Sequence, residues 1–337
     1  MRHLLRSLLN RGSFAVSALI AVVVLAPVSL AQSTVPLRYK WKEGQVLRYR
    51  ITNETVSESE SSGPQAPSKF SRTDVTVTRM TVQSVAADGT ATIAGVLESN
   101  KSEAGAASGN DHRGSADPAA SKSQESMTAV REAMLNEQVI LIVRSDGSIK
   151  QLKGLEQIKD VMRRTISELP LEMRSTFEEM LSEDALKEWM GTYTITFPSQ
   201  EVKFGESWTQ LSRMLLPTLG TISKDKTMTF KGLVERAGVR VAKVDFGETI
   251  SHESAAKDQS GVLPDDANVS LLDGSGSGEI WFDSERGQLL KQVNRSAMSM
   301  KITWGKDEKI TQRTESVQTV ELIDEPSAAP AASPQTK

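Results

Sequence analysis

The chain has 337 residues, with 40 Lys and Arg against 43 Asp and Glu, three His and no Cys. The missing cysteine excludes disulfides, thiolate nucleophiles, Cys-ligated zinc and iron–sulfur clusters at once, and a cysteine-linked lipid anchor with them. A charged fraction of 25% with 38% hydrophobic residues belongs to a folded chain, not a wholly disordered one.

Residues 1–31 read as a secretory signal peptide. Arg2, Arg6 and Arg11 give a positive start without an acid, residues 14–25 form an apolar run, and Ser29-Leu30-Ala31 offers a small-residue cleavage site before Gln32. The continuous apolar core is 12 residues long, short of the roughly 20 that a bilayer span needs. Cleavage is therefore expected over retention as an anchor, with export to the periplasm or medium and no stable membrane insertion afterwards. Removing residues 1–31 removes three positive charges, leaving 37 Lys and Arg against 43 acids. That acidic balance excludes nucleic acid, whose phosphates need a basic surface.

Along the mature chain the apolar residues alternate with period 2, as in strands. Leu47, Tyr49 and Ile51 share one face, residues 70–85 are rich in Thr and Val, and Asp88-Gly89 turns into 90–98. Residues 99–126 contain no Val, Ile, Leu, Met or aromatic side chain and are expected to be disordered. Residues 139–143 are apolar on both faces, and Ser145-Asp146-Gly147-Ser148 turns that strand back through Ile149.

From 154 the period changes. Leu155, Ile158, Val161, Met162, Ile166 and Leu169 form one helical stripe. Pro170 opens a second helix, Ser182 caps a third carrying Leu186, Trp189 and Met190, and Gly191 ends it. Strands resume at 207–212, 226–235, 239–250, 278–284, 287–304 and 307–323, with phase slips near 241–242 and 294–297 that read as bulges. Residues 254–277 and 324–337 are expected to be disordered. The expected fold is α+β: a strongly curved, half-barrel-like antiparallel sheet with two or three central helices packed on one side, in one domain over 32–323.

No catalytic residue is assigned. His112 and His252 lie in or beside apolar-poor loops, where a general base is poorly held. Ser254-Ala255-Ala256-Lys257 matches S-x-x-K but has no S-D-N or K-T-G partner. Asp265, Asp266, Asn268 and Asp273 fit neither register of an EF-hand, so no metal is assigned. The Gly274-Ser275-Gly276-Ser277-Gly278-Glu279 stretch lacks the third glycine of a dinucleotide loop, and no cofactor is implied. What remains is a set of Met and aromatic side chains on the late strands. Met298, Met300, Ile302 and Trp304 alternate strictly, and with Trp208 they are the candidates for lining an apolar ligand site.

Four blocks carry a resemblance. Lys42-Glu43-Gly44 through Tyr49 resembles a K-x-G-x-x-x-x-Y start, and Ser145-Asp146-Gly147-Ser148-Ile149 before Gly154-Leu155 resembles a D-G-x-[IV] turn before a helix. Pro198 and Val202 with Gly205-Glu206-Ser207-Trp208 resembles a P-x-x-x-V-x-x-G-[DE]-S-W block, and Phe282-Asp283 with Gly287-Gln288-Leu289 a late hairpin. Together they resemble a family of exported bacterial proteins known only as a domain of unknown function. The order of strands, helices and strands is also similar to periplasmic lipoprotein carriers, which implies a half-open barrel holding acyl chains. The leading expectation is a non-enzymatic exported protein that binds an apolar small molecule, a lipid or a lipid-modified partner. The alternatives are an envelope interaction protein with a filled core, and a carboxylate-dependent hydrolase.

Overall fold

The computed structural model describes residues 34–62, 67–105, 135, 137–167, 182–183, 185–187, 195–216, 220–236, 238–254 and 267–324. The signal segment, residues 106–126 of the first insertion, the second helix and the tail beyond 324 lie outside the described residues, as does His112.

Eleven strands form one antiparallel sheet: β1 Val46–Ser61, β2 Ser68–Val85, β3 Ala91–Ala104, β4 Gln138–Val143, β5 Ile149–Lys153, β6 Ser207–Leu216, β7 Gly220–Arg236, β8 Val239–Ser254, β9 Asn268–Asp283, β10 Gln288–Trp304 and β11 Glu308–Asp324. Their order is β5-β4-β3-β2-β1-β11-β10-β9-β8-β7-β6, so two meanders meet where β1 pairs with β11. Among the described residues the helices are α1 Glu156–Ser167 and a short helical stretch within 183–187. This corrects the expected α+β class: the described chain is one open sheet, not a sheet with a helical layer. The 3.6-residue period was real, since Leu155, Ile158 and Met162 pack on Val82, Ile93, Leu141 and Leu152. Among the described residues, α1 seated on four of the eleven strands does not make a layer of its own. Ser182 does cap a helical turn, its Oγ accepting from the Ala185 amide at 3.1 Å.

Two stretches expected to be disordered continue as strands. Residues 99–104 complete β3, and 268–277 begin β9. Backbone pairing to β2 and β10 holds both, and such pairing needs no apolar side chain. The slip expected near 294–297 on β10 is a bulge placed earlier in that strand, whereas β8 runs without a register shift at 241–242 and the irregularity lies on its partner β7. On β10 the register shifts between Leu289 and Lys291, and on β7 between Phe230 and Gly232.

The sheet is unclosed in its pairing yet tightly rolled at one end. Adjacent amides in residues 34–41 reach strands far apart in the order: Tyr39 N donates to Ser145 O at 2.8 Å and Lys40 N to Gly287 O at 3.2 Å. Successive residues are about 3.8 Å apart, so those carbonyls lie within about 10 Å of each other. On a flat sheet the five interstrand steps from β4 to β10 would span about 24 Å. Residues 195–202 draw in the two edges. Phe197 N donates to Asp146 O beside β5, at 2.9 Å, while Trp208 Nε1 on β6 donates to Thr196 O at 3.1 Å. A bridge between Val35 and Val202 ties the two segments together.

The core fills this rolled end. Leu47, Met228, Phe230, Val244, Ile280, Phe282 and Leu289, from five strands of the sheet, bury against Val35, Leu37, Ile195 and Phe197. Trp41 packs against both this cluster and the one beneath α1. Backbones come close enough that glycine is required at Gly147, where φ is +93° and a Cβ would stand 2.1 Å from Ile195 O.

β9 is cut for its neighbour. Gly274, Gly276 and Gly278 share one face, and their missing side chains leave room for Ile250, Glu248 and Phe246 of β8. A Cβ on Gly278 would stand 2.5 Å from the Phe246 ring and 2.0 Å from Val293 O, whereas one on Gly247 would meet nothing within 4 Å. Gly278→Ala is expected to destabilise the fold by about 2 kcal/mol or more. Gly247→Ala should stay within about 0.5 kcal/mol of the parent in urea unfolding.

The outer face carries an ion network around Glu98. A bulge in β3 sends Glu98 outward between Arg48 and Arg79, at 2.9 and 2.8 Å. Burial pushes the Glu98 carboxyl up, but the two guanidinium hydrogen bonds outweigh it and hold the acid below its usual range. Its folded pKa therefore lies under the unfolded one, so the stabilisation is present above the ordinary carboxylate range and lost as pH falls through the folded value. Glu98→Gln should cost about 0.5–1 kcal/mol at pH 7, a difference that vanishes in urea melts run below the carboxylate range.

Candidate binding face

Because the sheet rolls around residues 34–41 and 195–202, the face that carries the core is the concave one. Strand register lays its side chains out in rows across the sheet. Toward the closed end a row runs Ile51, Val320, Gln292, Ile280, Val244 and Phe230. The next holds Asn53, Gln318, Asn294, Gly278, Phe246, Met228 and Trp208. A third is almost wholly polar: Thr55, Ser316, Ser296, Gly276, Glu248, Lys226 and Gln210.

Beyond that belt the face turns apolar again on β9–β11. Met298, Met300, Ile302 and Trp304 of β10 all point to the concave side, beside Leu271 and Val269 on β9 and Ile310 on β11. Met300 and Val269 are buried while Met298, Ile302 and Trp304 are half-buried. None of them belongs to either core cluster. Four of the five sequence-predicted residues therefore share one patch.

Trp208 does not join them. It sits level with Asn294, six residues or about 20 Å along the strands from Met300. There its ring meets Phe197 at 6.3 Å between centroids and its indole N–H bonds Thr196 O. Trp208 is a closure residue of the core.

The belt contains what the sequence reading missed. Glu248 has a side chain with 0% exposure, 3.4 Å from Lys226 Nζ and 3.6 Å from Lys224 Nζ. Neither of its carboxylate oxygens receives a well-directed hydrogen bond. Lys226 is itself buried, its ammonium 5.4 Å from the Phe246 ring centroid. Burial pushes its pKa below the usual lysine range; Glu248 pulls it back up and Lys224 adds to the lowering. The side-chain oxygens of Gln292 and Asn294 are buried without a protein partner, on the same face. Other belt groups satisfy one another: Ser296 with Ser316 at 2.8 Å, Ser57 with Thr314 at 3.3 Å, and Gln318 Nε2 to Asn53 Oδ1 at 3.0 Å. A signal was there to find. Ile222, Lys224, Lys226, Met228 and Phe230 share one parity of β7, which puts two lysines in an otherwise apolar stripe.

The remaining sequence candidates separate. His252 lies across from Ile222, and Ser254 donates its hydroxyl to Val269 O at 2.8 Å. Asp265, Asp266 and Lys257 fall outside the described residues, and Asp273 pairs with Ser299 on the outer face. Among the described residues no three His, Asp or Glu side chains converge as a metal site, and no helix is long and apolar enough to cross a membrane.

No curated protein matches the chain. Among solved structures, the chain is similar to one of lipovitellin concerned with lipid–protein interactions, at 11% identity and a TM-score of 0.42. That likeness covers 87% of this chain but 27% of the lipovitellin chain. It is also similar to a DUF1329 family protein from Desulfovibrio piger ATCC 29098, at 8% identity and a TM-score of 0.12, over 82% of this chain and 87% of the other. At TM-scores this low neither likeness assigns a ligand. The sequence itself is decisive at the level of family: residues 88–289 match the model of the family of unknown function DUF6263, and the chain belongs to that family.

Proposed function

We propose that this protein is an exported, non-enzymatic binding protein whose rolled sheet holds an apolar or amphiphilic ligand against the concave side of β9–β11. The observation that carries the reading is the patch of Met298, Met300, Ile302, Trp304, Val269, Leu271 and Ile310, which lies apart from both core clusters at the end away from the rolled closure. Met and Trp side chains adapt to irregular greasy surfaces, and a concave apolar wall beside a few fixed polar groups is the usual form of a small-molecule site. Export rests on the signal-type segment 1–31. The absence of an assigned catalytic group in the sequence is consistent with binding alone.

Two measurements test the reading. Native mass spectrometry of the protein purified from its own source without detergent should show added mass from a copurifying apolar molecule. The uncharged fluorescent probe N-phenyl-1-naphthylamine should bind saturably, and Ile302→Asp should weaken it about tenfold or more while leaving the urea midpoint nearly unchanged. An unloaded protein that also ignores the probe would overturn the proposal. For export, N-terminal sequencing of the mature protein is expected to begin at Gln32, and a chain still starting at Met1 would refute cleavage.

A further inference from the structure

We infer that Lys224 and Lys226 receive the anionic head, carboxylate or phosphate ester, of an amphiphile whose alkyl part lies along Met298, Met300 and Ile302. This inference rests on the binding function proposed above and names the ligand's chemistry.

Charge is the first argument. Two ammonium groups share one carboxylate, with Lys224 and Lys226 at 3.6 and 3.4 Å from different oxygens of Glu248. The cluster therefore keeps one positive charge in excess, in a place where Glu248 is shut off from solvent and Lys226 nearly so. An uncompensated buried charge is costly, and an anion of one negative charge would neutralise it. Burial already pushes the Lys226 ammonium toward its neutral form, which a second anionic neighbour would reverse.

Position is the second. Lys224 stands in the first row beyond the polar belt, across from Ser212 on β6 and Ile250 on β8. The same level continues through Gly274, packed under Ile250, to Met298 and Thr314. An anion at Lys224 thus sits on the level of Met298, three interstrand steps or about 14 Å across the concave face, with the Ser212 hydroxyl as a further donor on the same face. At 24% side-chain exposure Lys224 is the reachable member of the pair, while Lys226 backs it from inside. A purely structural ion pair would need one lysine for one carboxylate. The second lysine is the part that packing leaves without a task.

Calorimetry on the full chain tests this with two ligands of the same alkyl length, laurate and uncharged 1-dodecanol. Wild type is expected to bind laurate at least tenfold more tightly. Lys224→Met and Lys224→Gln should erase that preference and leave the 1-dodecanol affinity unchanged. The triple variant Lys224→Met, Lys226→Met and Glu248→Gln, which leaves no charge in the cluster, should also erase it, with folding confirmed by an unchanged melting profile. Equal binding of both ligands by wild type, or a laurate preference that survives in the Lys224 variants, overturns the headgroup inference and leaves the apolar site standing. Inorganic phosphate or acetate binding as tightly as laurate overturns it too, since the site would then serve a free anion. Binding of neither chain overturns both the inference and the function it rests on.

Discussion

Two neighbouring amides hold the architecture. Tyr39 N and Lys40 N bond carbonyls in the β4–β5 and β9–β10 turns, which belong to different meanders of the sheet. A sheet of this width twists but has no reason to close on itself. Tethering turns five strands apart to consecutive residues forces the roll, and the side chains of that segment then fill the space the roll creates. Tyr39 stacks on Trp41 at 4.9 Å and meets Phe282 edge-on at 5.3 Å, while Phe197 lies 4.7 Å from Phe282. Each buried ring contributes on the order of 1.5–3 kcal/mol, so closure and core formation are one event.

The four sequence blocks singled out at the start all serve that closure. Tyr49, which ends the first block, donates its hydroxyl to Leu289 O in the last. Asp146 organises its turn by accepting from Ser148 N and Oγ, and Asp283 does the same for Glu285 N and Arg286 N. Gly205 N and Phe230 O, with Phe230 N and Glu206 O, pin the Gly-Glu-Ser-Trp block to β7. All four blocks therefore gather at the rolled end. The apolar patch lies at the other end of the strands, on residues outside those blocks.

That division explains what was legible beforehand. Period-2 alternation, the Asp-Gly turns and the Ser182 cap each express a local rule, and each appears in the structure. Met298, Met300, Ile302 and Trp304 were readable for the same reason, because a pleat puts every second residue on one face. Trp208 was misplaced because alternation assigns a face but not a height, and its height is fixed by pairing with Met228. Two opaque features depend on neighbours remote in sequence. The Gly-Ser run of β9 looks unstructured until Phe246, Glu248 and Ile250 are seen lying over its glycines. The face of β10 changes at Leu290 because β9 pairs out of step there, several residues before the alternation itself betrays it. The helical block misled for a different reason: amphipathicity says a helix has something to bury, not how much sheet surrounds it.

The concave face is banded where an apolar interior was expected. Gln292, Asn294 and Ser296 follow one another down β10 before Met298 begins, and Glu248 and Lys226 interrupt β8 and β7 at the matching level. Pure hydrocarbon cargo has no use for such a belt, which would only leave polar groups facing grease. Packing does not explain it either, since hydrophobic side chains of similar volume commonly stabilise as well as a buried ion cluster or better. A belt of fixed charge set between a filled core and an apolar wall is what a ligand with two chemistries requires. For the amphiphile proposed above, the head would meet Lys224 and Lys226 at the edge of the belt and the chain would lie along Met298, Met300 and Ile302.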